Sequence, residues 1–237
     1  EKPYEFSVAD IARNPGNVRP TGNWGVESGA VDPKSDLGKA LLNAETSGGR
    51  SYFIGSAKNG RPVSIDDDRA VVLLKTPNGN YLVFNDYKDG IKVQVENITR
   101  QVVGRKLDTF DKLVDRWAPK FKADGTSIEN TDEARQGYKA NLARAFEDFG
   151  LELKGGKIDG TDARHVVAIV VAMWQTEAGG GPSRITAQDI MEALYESKMA
   201  IGKTGRAGAD GLINKGRLGI SISENSITMN GRTRNLR

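Results

Sequence analysis

Cysteine is absent from the 237 residues, and histidine occurs once, at His165. The first absence removes disulfides, thiolate nucleophiles and sulfur-ligated zinc or iron–sulfur sites. The second removes any site built on several imidazoles, so carboxylate chemistry is what remains. No apolar run approaches the roughly 20 residues that a transmembrane helix needs. No aromatic residue follows Tyr195, so the C-terminal part has no ring on which a nucleic-acid base could stack. No internal repeat is present. Against these absences, 38% of residues are hydrophobic and 27% charged, which at this length suits one sizeable folded domain with appendages or two small ones. The chain opens on Glu1 and its first methionine is Met173, which predicts a processed or excised piece of a longer product.

The net charge of +3 is unevenly placed. Between Gly202 and Arg237 stand Lys203, Arg206, Lys215, Arg217, Arg232, Arg234 and Arg237 against Asp210 and Glu224, a local net of +5 that leaves −2 for the rest. The same segment has glycine at 202, 205, 208, 211, 216 and 219, followed by the alternating GISISENSITMNG. It is predicted to be an extended, glycine-rich basic tail, residues 202–237. Its end has a weak hairpin pattern turning at Glu224-Asn225, too poor in apolar residues to hold alone.

The body, residues 1–201, reads as α+β: a mainly helical domain of about five helices with a small antiparallel β-sheet inserted near residues 50–84. A short helix capped by Ser35 carries Leu37, Leu41 and Leu42 and runs toward Gly48. The runs RSYFIG, RPVSI, RAVVLLK and NYLVF are β-favouring, and PNGN at 77–80 joins the last two as a hairpin. Beyond them the period becomes helical. Ile91, Val95, Ile98 and Val102 form one stripe, and Phe110, Leu113, Val114 and Trp117 another, capped at Asp108 or Thr109 and stopped by Pro119. Tyr138, Leu142, Ala145, Phe146 and Phe149 form a third, opened by Thr131 and closed by Gly150. A fourth helix, containing Val166 to Trp174, is apolar around much of its circumference and is predicted to be the buried one. A fifth begins at Thr186, with Asp189 placed to bond back to the cap.

Four stretches, RNPGNVRPTGNWG (13–25), YLVFNDYKDGIKVQVENITRQV (81–102), TFDKLVDRWAPK (109–120) and NTDEARQGYKANLARAF (130–146), precede an apolar helix ending Glu177-Ala178-Gly179. In this order, over Ile11 to Gly181, the chain resembles a family of bacteriophage virion proteins whose hallmark is an Arg-Asn-Asn-Asn-Pro-Gly-Asn-Ile-Arg loop followed by Trp-x-Gly. Two departures stand out. The loop here lacks two asparagines, and a long segment separates Trp24-Gly25 from Phe84. The resemblance implies a structural virion component, internal or tail-associated, with oligomeric assembly in the particle and a setting in which peptidoglycan-active proteins are common. It also implies a location in the virion, with ejection into the host cell envelope.

The acid–base candidates follow from context. Glu177 ends the buried helix before small residues, the setting in which lysozyme-like muramidases and transglycosylases keep a carboxyl protonated against an apolar wall. Trp174 lies three residues earlier on about the same face. Glu45, in ALLNAETSGG, repeats the helix-then-small-residue pattern, and Glu27 lies beside Trp24; these are the alternatives. Arg13, Asn14, Asn17, Trp24 and Trp174 are the candidate glycan-binding residues. For each of the three acids the competing reading is a solvated surface carboxylate, and for the loop it is architecture: prolines fixing the path, glycines permitting tight turns, and Trp24 as anchor. Asp66 to Asp68 lack calcium-loop spacing and read as a charged turn, so no metal and no cofactor is predicted. His165 reads as a satisfied, partly buried histidine. The seven tail cations suit assembly with other virion proteins or nonspecific contact with packaged DNA. The leading expectation is a virion structural component acting at genome delivery, with a peptidoglycan hydrolase and a DNA-binding virion protein as the alternatives.

Overall fold

The computed structural model describes residues 7–122, 125, 127–177, 185–196, 220–223 and 226–236. The chain forms two compact units, Glu1–Gln94 with Glu177–Ile185, and Val95–Thr176 with Thr186–Arg237. The architecture is α+β, with seven α-helices and two three-stranded antiparallel sheets among the described residues. No helix among them is long and apolar enough to cross a membrane.

The first unit is built on the sheet β1 (Ser51–Ser56), β2 (Ala70–Thr76) and β3 (Gly79–Leu82), in that order. Alternate side chains of a strand face opposite sides, and here both sides of β2 are covered. Val71 and Leu73 pack with Val18, Trp24, Ala57, Leu82, Phe84 and Val93. Val72 and Leu74 pack with Ala12, Val31 and the side chains of α1 (Val8–Ile11) and α2 (Asp36–Leu42). That double burial explains why AVVLLK is a continuous apolar run and not an alternating one. β2 and β3 join through Pro77-Asn78, with Thr76 opposite Gly79. RPVSI, expected as a strand, reduces to a single bridge between Gly55 and Pro62, because proline offers no N–H to a ladder. Ser35 caps α2 by accepting from the Gly38 N–H, as its position predicts, but the helix stops at Leu42 and leaves Glu45 exposed beyond its end.

α3 (Tyr87–Thr99) passes into a π-helical turn at Arg100–Gly104, and the division between the units falls inside α3. The second unit contains α4 (Phe110–Trp117), α5 (Asp132–Asp148), most of α6 (Ala163–Glu177) and α7 (Ala187–Glu196). Thr109 and Thr131 cap α4 and α5 as expected, and the Thr186 N–H donates to the Asp189 carboxylate at 2.8 Å ahead of α7. Every residue of α6 from His165 to Trp174 is buried.

The end of the chain departs from the expected extended tail. β4 (Ile220–Ser223), β5 (Ser226–Met229) and β6 (Arg232–Asn235) form an antiparallel meander. The predicted hairpin is present, with Ser223 opposite Ser226. The second turn, Asn230-Gly231, has φ of 53° and 72°, the twist that suits a two-residue hairpin loop. Ile227, Met229 and Leu236 are buried, and the meander belongs to the second unit, where β6 packs on α5 and β4 on α7. A cut at Gly202 therefore removes part of a folded unit. Lys203, Arg206, Lys215, Arg217 and Arg237 lie outside the described residues.

His165 is buried, with its ring 5.0 Å from that of Phe146, and its Nδ1 accepts the Asp159 N–H at 3.1 Å. Burial holds its pKa below the usual 6.5, against the pull of Asp162 and Asp159. The neutral ring is therefore favoured in the fold, whereas the unfolded chain takes up a proton first as pH falls through 6.5. Stability carried by this residue is present above 6.5 and is lost on acidification. Thermal melts between about pH 7.5 and about pH 5.5 should accordingly show a larger drop in Tm for the wild type than for His165→Gln; equal slopes would remove His165 as a source of acid sensitivity.

Candidate functional site

The loop Arg13–Gly25 finishes the free edge of β3. The Leu82 N–H donates to the Val18 carbonyl and the Phe84 N–H to that of Ala12, at 3.1 and 3.0 Å. Asn14, fully buried, donates to the Val18 and Leu82 carbonyls, both at 2.9 Å, and accepts the Val18 N–H at 2.8 Å. The loop lies against α3 through two positions one turn apart. A Cβ on Gly90 would stand 2.0 Å from the Arg13 carbonyl oxygen, and a Cβ on Gly16 would stand 2.9 Å from Gln94 Cγ. Arg13 and Asn17 both have positive φ, 51° and 45°. Asparagine tolerates that region, whereas arginine is strained there by about 1 kcal/mol. The Arg13 guanidinium is tied to the Asn85 carbonyl at 2.6 Å.

This path brings Asn17 to Glu177, 160 residues away, where its Nδ2 donates to Oε2 at 2.5 Å. Glu177 is the last residue of α6 and belongs with the first unit. The residue as a whole is half-buried, but its carboxyl group is enclosed. Burial pushes its pKa above the usual 4.5, while the Asn17 hydrogen bond and then the Arg19 charge pull the other way. The carboxyl thus has opposing supports: low dielectric favours the acid, and a donor and a cation stand ready for the carboxylate. Such a group can release a proton and then be stabilised in the ionised form.

The other candidates are placed differently. Arg13 and Asn14 are occupied by the backbone bonds described above. Trp24 is 4% exposed and packs in the core cluster with Val18, Phe84 and Val93, so it is an anchor and offers no free face to a sugar. Trp174 is 2% exposed in α6. Glu45 is exposed on the segment after α2. Glu27, on a short 3-10 turn (Val26–Ser28), lines a cleft of about 330 Å³ with Gly22, Trp24, Gly25, Val26, Asp68 and Arg69. Neither Glu177 nor Glu45 lines it. The residues 66–68 form an exposed turn, and no cluster able to hold a metal ion occurs among the described residues.

Two of the seven tail cations are engaged within the second unit. Arg234, buried on β6, donates from Nε and Nη2 to Gln175 Oε1 at 3.0 and 2.7 Å and pairs with Asp148. Arg232 donates to the Glu147 carbonyl at 3.0 Å and lies over Gly150. Both clamp the end of α5; Arg234 is buried in doing so, whereas Arg232 stays exposed. Alternation on β6 puts Arg234 inward, and a buried guanidinium needs fixed acceptors.

One contributor to the Glu177 site, and one buried amide where the loop lies on α3, went unrecognised in the sequence. Arg19, whose guanidinium stands 5.4 Å over the Tyr81 ring, supplies the positive charge. Gln94 is 1% exposed with neither amide atom hydrogen-bonded, and the Oδ1 of Asn17 is likewise buried and unpartnered. The available signal was an amide three residues after Ile91, on the buried side of an apolar stripe, where a polar group is costly unless used. No protein-family model matches the chain, and no curated protein is similar enough to count as a relative.

Proposed function

We propose that this chain is a bacteriophage virion protein that cleaves the glycan strands of peptidoglycan, with Glu177 as the general acid. The observation that carries the reading is the enclosed Glu177 carboxyl, raised in pKa at the end of a buried helix and held by Asn17 of the RNPGN loop. In the reaction the Glu177 O–H donates to the bridging glycosidic oxygen as its bond to the anomeric carbon breaks. The resulting carboxylate is stabilised by the Asn17 N–H and the Arg19 charge. The anomeric carbon is then taken by water or by a hydroxyl of the same sugar, whose proton returns to the Glu177 carboxylate. The role in the particle, entry into the host envelope and assembly with other virion proteins are part of the same proposal.

The test is incubation of the purified chain with peptidoglycan sacculi and mass analysis of the soluble products. Fragments lacking the elements of one water would mark intramolecular transfer, and fragments with reducing ends would mark hydrolysis. No soluble glycan at all would sink the enzymatic reading. The second reading, a non-enzymatic virion component, draws support from Arg13, Asn14 and Trp24, all three of which are spent on building the first unit. A DNA-binding role loses the buried Arg234 to its internal partners.

The two supports of Glu177 separate in a pH profile. Activity that needs the protonated acid is lost as pH rises through its pKa, so the alkaline limb of the wild type should lie above 4.5. Asn17 lowers that pKa, so Asn17→Ala should move the limb further up while reducing the maximal rate. A limb that stays put or moves down would show that Asn17 does not bond the carboxylate in the working enzyme.

A further inference from the structure

The cation that acts on Glu177 reaches solvent and is nevertheless held in place. Arg19 is exposed, and three contacts set its guanidinium on the β2–β3 hairpin. Its Cζ stands 5.4 Å over the ring of Tyr81, which is itself buried. Its Nη2 donates to the Asn78 carbonyl at 3.3 Å. It also lies against the turn, where a Cβ on Gly79 would meet Cζ at 3.7 Å, an ordinary contact distance. Arg19, Asn78, Gly79, Tyr81 and Glu177 all belong to the first unit. Among the described residues, Arg19 is the charged group that acts on the Glu177 carboxyl.

A mobile surface arginine loses side-chain freedom when it takes up an anion. Here the Tyr81 ring and the Asn78 carbonyl have ordered the side chain beforehand, which lowers that cost. A guanidinium presents five N–H donors in a planar fork that matches a carboxylate, so one side chain can hold the hairpin and meet a ligand together. Peptidoglycan strands differ from the neutral glycan of chitin by a lactyl ether on alternate sugars, close to the bond that is cut. The lactyl carboxyl is a neutral amide where a stem peptide is attached and a carboxylate where the peptide has been removed.

We infer, on the reading of Glu177 as the acid of glycan cleavage, that Arg19 binds the lactyl carboxylate of strands stripped of their stem peptides, so that the chain acts on the product of an amide hydrolase. An intact strand offers the guanidinium one neutral carbonyl oxygen at that position, and chitin offers nothing. Removal of the peptide supplies a charged pair of oxygens that fits the fork. Occupancy also bears on the acid. The Arg19 charge pulls the Glu177 pKa down in the free chain. A carboxylate seated on Arg19 cancels that charge, so the complex keeps the Glu177 proton to higher pH than the free chain does. The substrate that fits therefore helps to hold the acid in its working form.

The experiment is calorimetric titration of the full chain carrying Glu177→Gln, which suppresses cleavage, at low salt. Three soluble glycans of equal length are compared: a muramyl oligosaccharide with free lactyl carboxylates, the same oligosaccharide with those groups converted to methylamides, and a chitin oligosaccharide. The free acid should bind at least about fivefold more tightly than the other two, the scale of one forked ion pair at a surface. Adding Arg19→Gln should erase the difference. Equal binding of the three, no saturable binding up to about 10 mM, or a preference that survives Arg19→Gln would each overturn the inference. In the chain with Glu177 intact, the alkaline limb of kcat on the free-acid glycan should lie above that of kcat/KM, and Arg19→Gln should bring the two together. An arginine that only braced the hairpin would not split them, and coincident limbs would remove the coupling to the acid. Cleavage of sacculi with no preference among the glycans would leave the Glu177 reading standing and sink this one. Arg19-dependent binding with no cleavage of any glycan would do the reverse.

Discussion

Glu177→Gln should lower the rate of glycan cleavage by about 10²–10⁴-fold, the contribution typical of a positioned general acid. The side chains are nearly isosteric, and the glutamine oxygen can still accept from Asn17 Nδ2, so the geometry of the RNPGN loop survives. What disappears is the acidic proton. Product analysis on sacculi measures the rate, and a variant as active as the wild type would remove Glu177 from the chemistry.

The same variant has a second readout in stability, and its sign follows from the raised pKa. Between 4.5 and the higher folded value, the folded chain keeps a proton on Glu177 that the unfolded chain has released. Wild-type stability therefore falls as pH rises through that window and stays lower above it. Glutamine has no such dependence. The melting temperature of Glu177→Gln should exceed that of the wild type at neutral pH, with the difference shrinking as pH falls to 4.5. An inactive variant with no neutral-pH gain in stability would indicate a carboxylate exposed to water, and with it a different cause for the lost activity.

Gly90→Ala should destabilise the chain by about 3 kcal/mol. Alanine has the better helix propensity by about 1 kcal/mol, so an unhindered site would be stabilised. At Gly90 the new methyl would stand 2.0 Å from the Arg13 carbonyl oxygen and 3.1 Å from Pro15 Cδ. Backbone cannot rotate aside as a side chain can, so the loop has to lift, and overpacking of this kind outweighs the propensity gain. Lifting the loop also withdraws Asn17 from Glu177, so glycan cleavage should fall together with stability. Gly137 is the matched control: it is an exposed position inside α5 where an added Cβ would meet nothing within 4 Å. Gly137→Ala should therefore stabilise by about 1 kcal/mol. Denaturant unfolding of the two variants decides the matter; the same sign in both would mean that the loop does not dock closely on α3.

Much of the fold was legible because the interactions that set it are local. Ser35, Thr109, Thr131 and the Thr186–Asp189 pair each act across three residues. The stripes Ile91–Val95–Ile98 and Tyr138–Leu142–Ala145 declare a buried helical face through spacing alone. RPVSI misled because β propensity says nothing about which backbone donors a ladder needs. The tail misled for a different reason. Its six glycines before residue 220 and its low apolar content describe a segment that cannot fold by itself, and Ile227, Met229 and Leu236 find cover only in the second unit, beside α5 and α7.

The candidate site divides along the same line. Helix context singled out Glu177, and the chemistry of the RNPGN loop singled out Asn17, each from its own neighbourhood. Their pairing across 160 residues was not readable, since nothing near either residue encodes the other. Nor could the sequence distinguish Asn14, consumed by three buried backbone bonds, from Asn17, three positions on. By itself the sequence determined the α+β character, the helix starts and the poverty of chemistry other than that of carboxylates, because composition, caps and periodicity act within a few residues. Only the tertiary structure decided which asparagine meets the acid, that Trp24 is an anchor and that Arg234 is an internal clamp. Burial and partnership are set by what distant segments bring, and the desolvation that raises the pKa of Glu177 exists only once those segments have assembled.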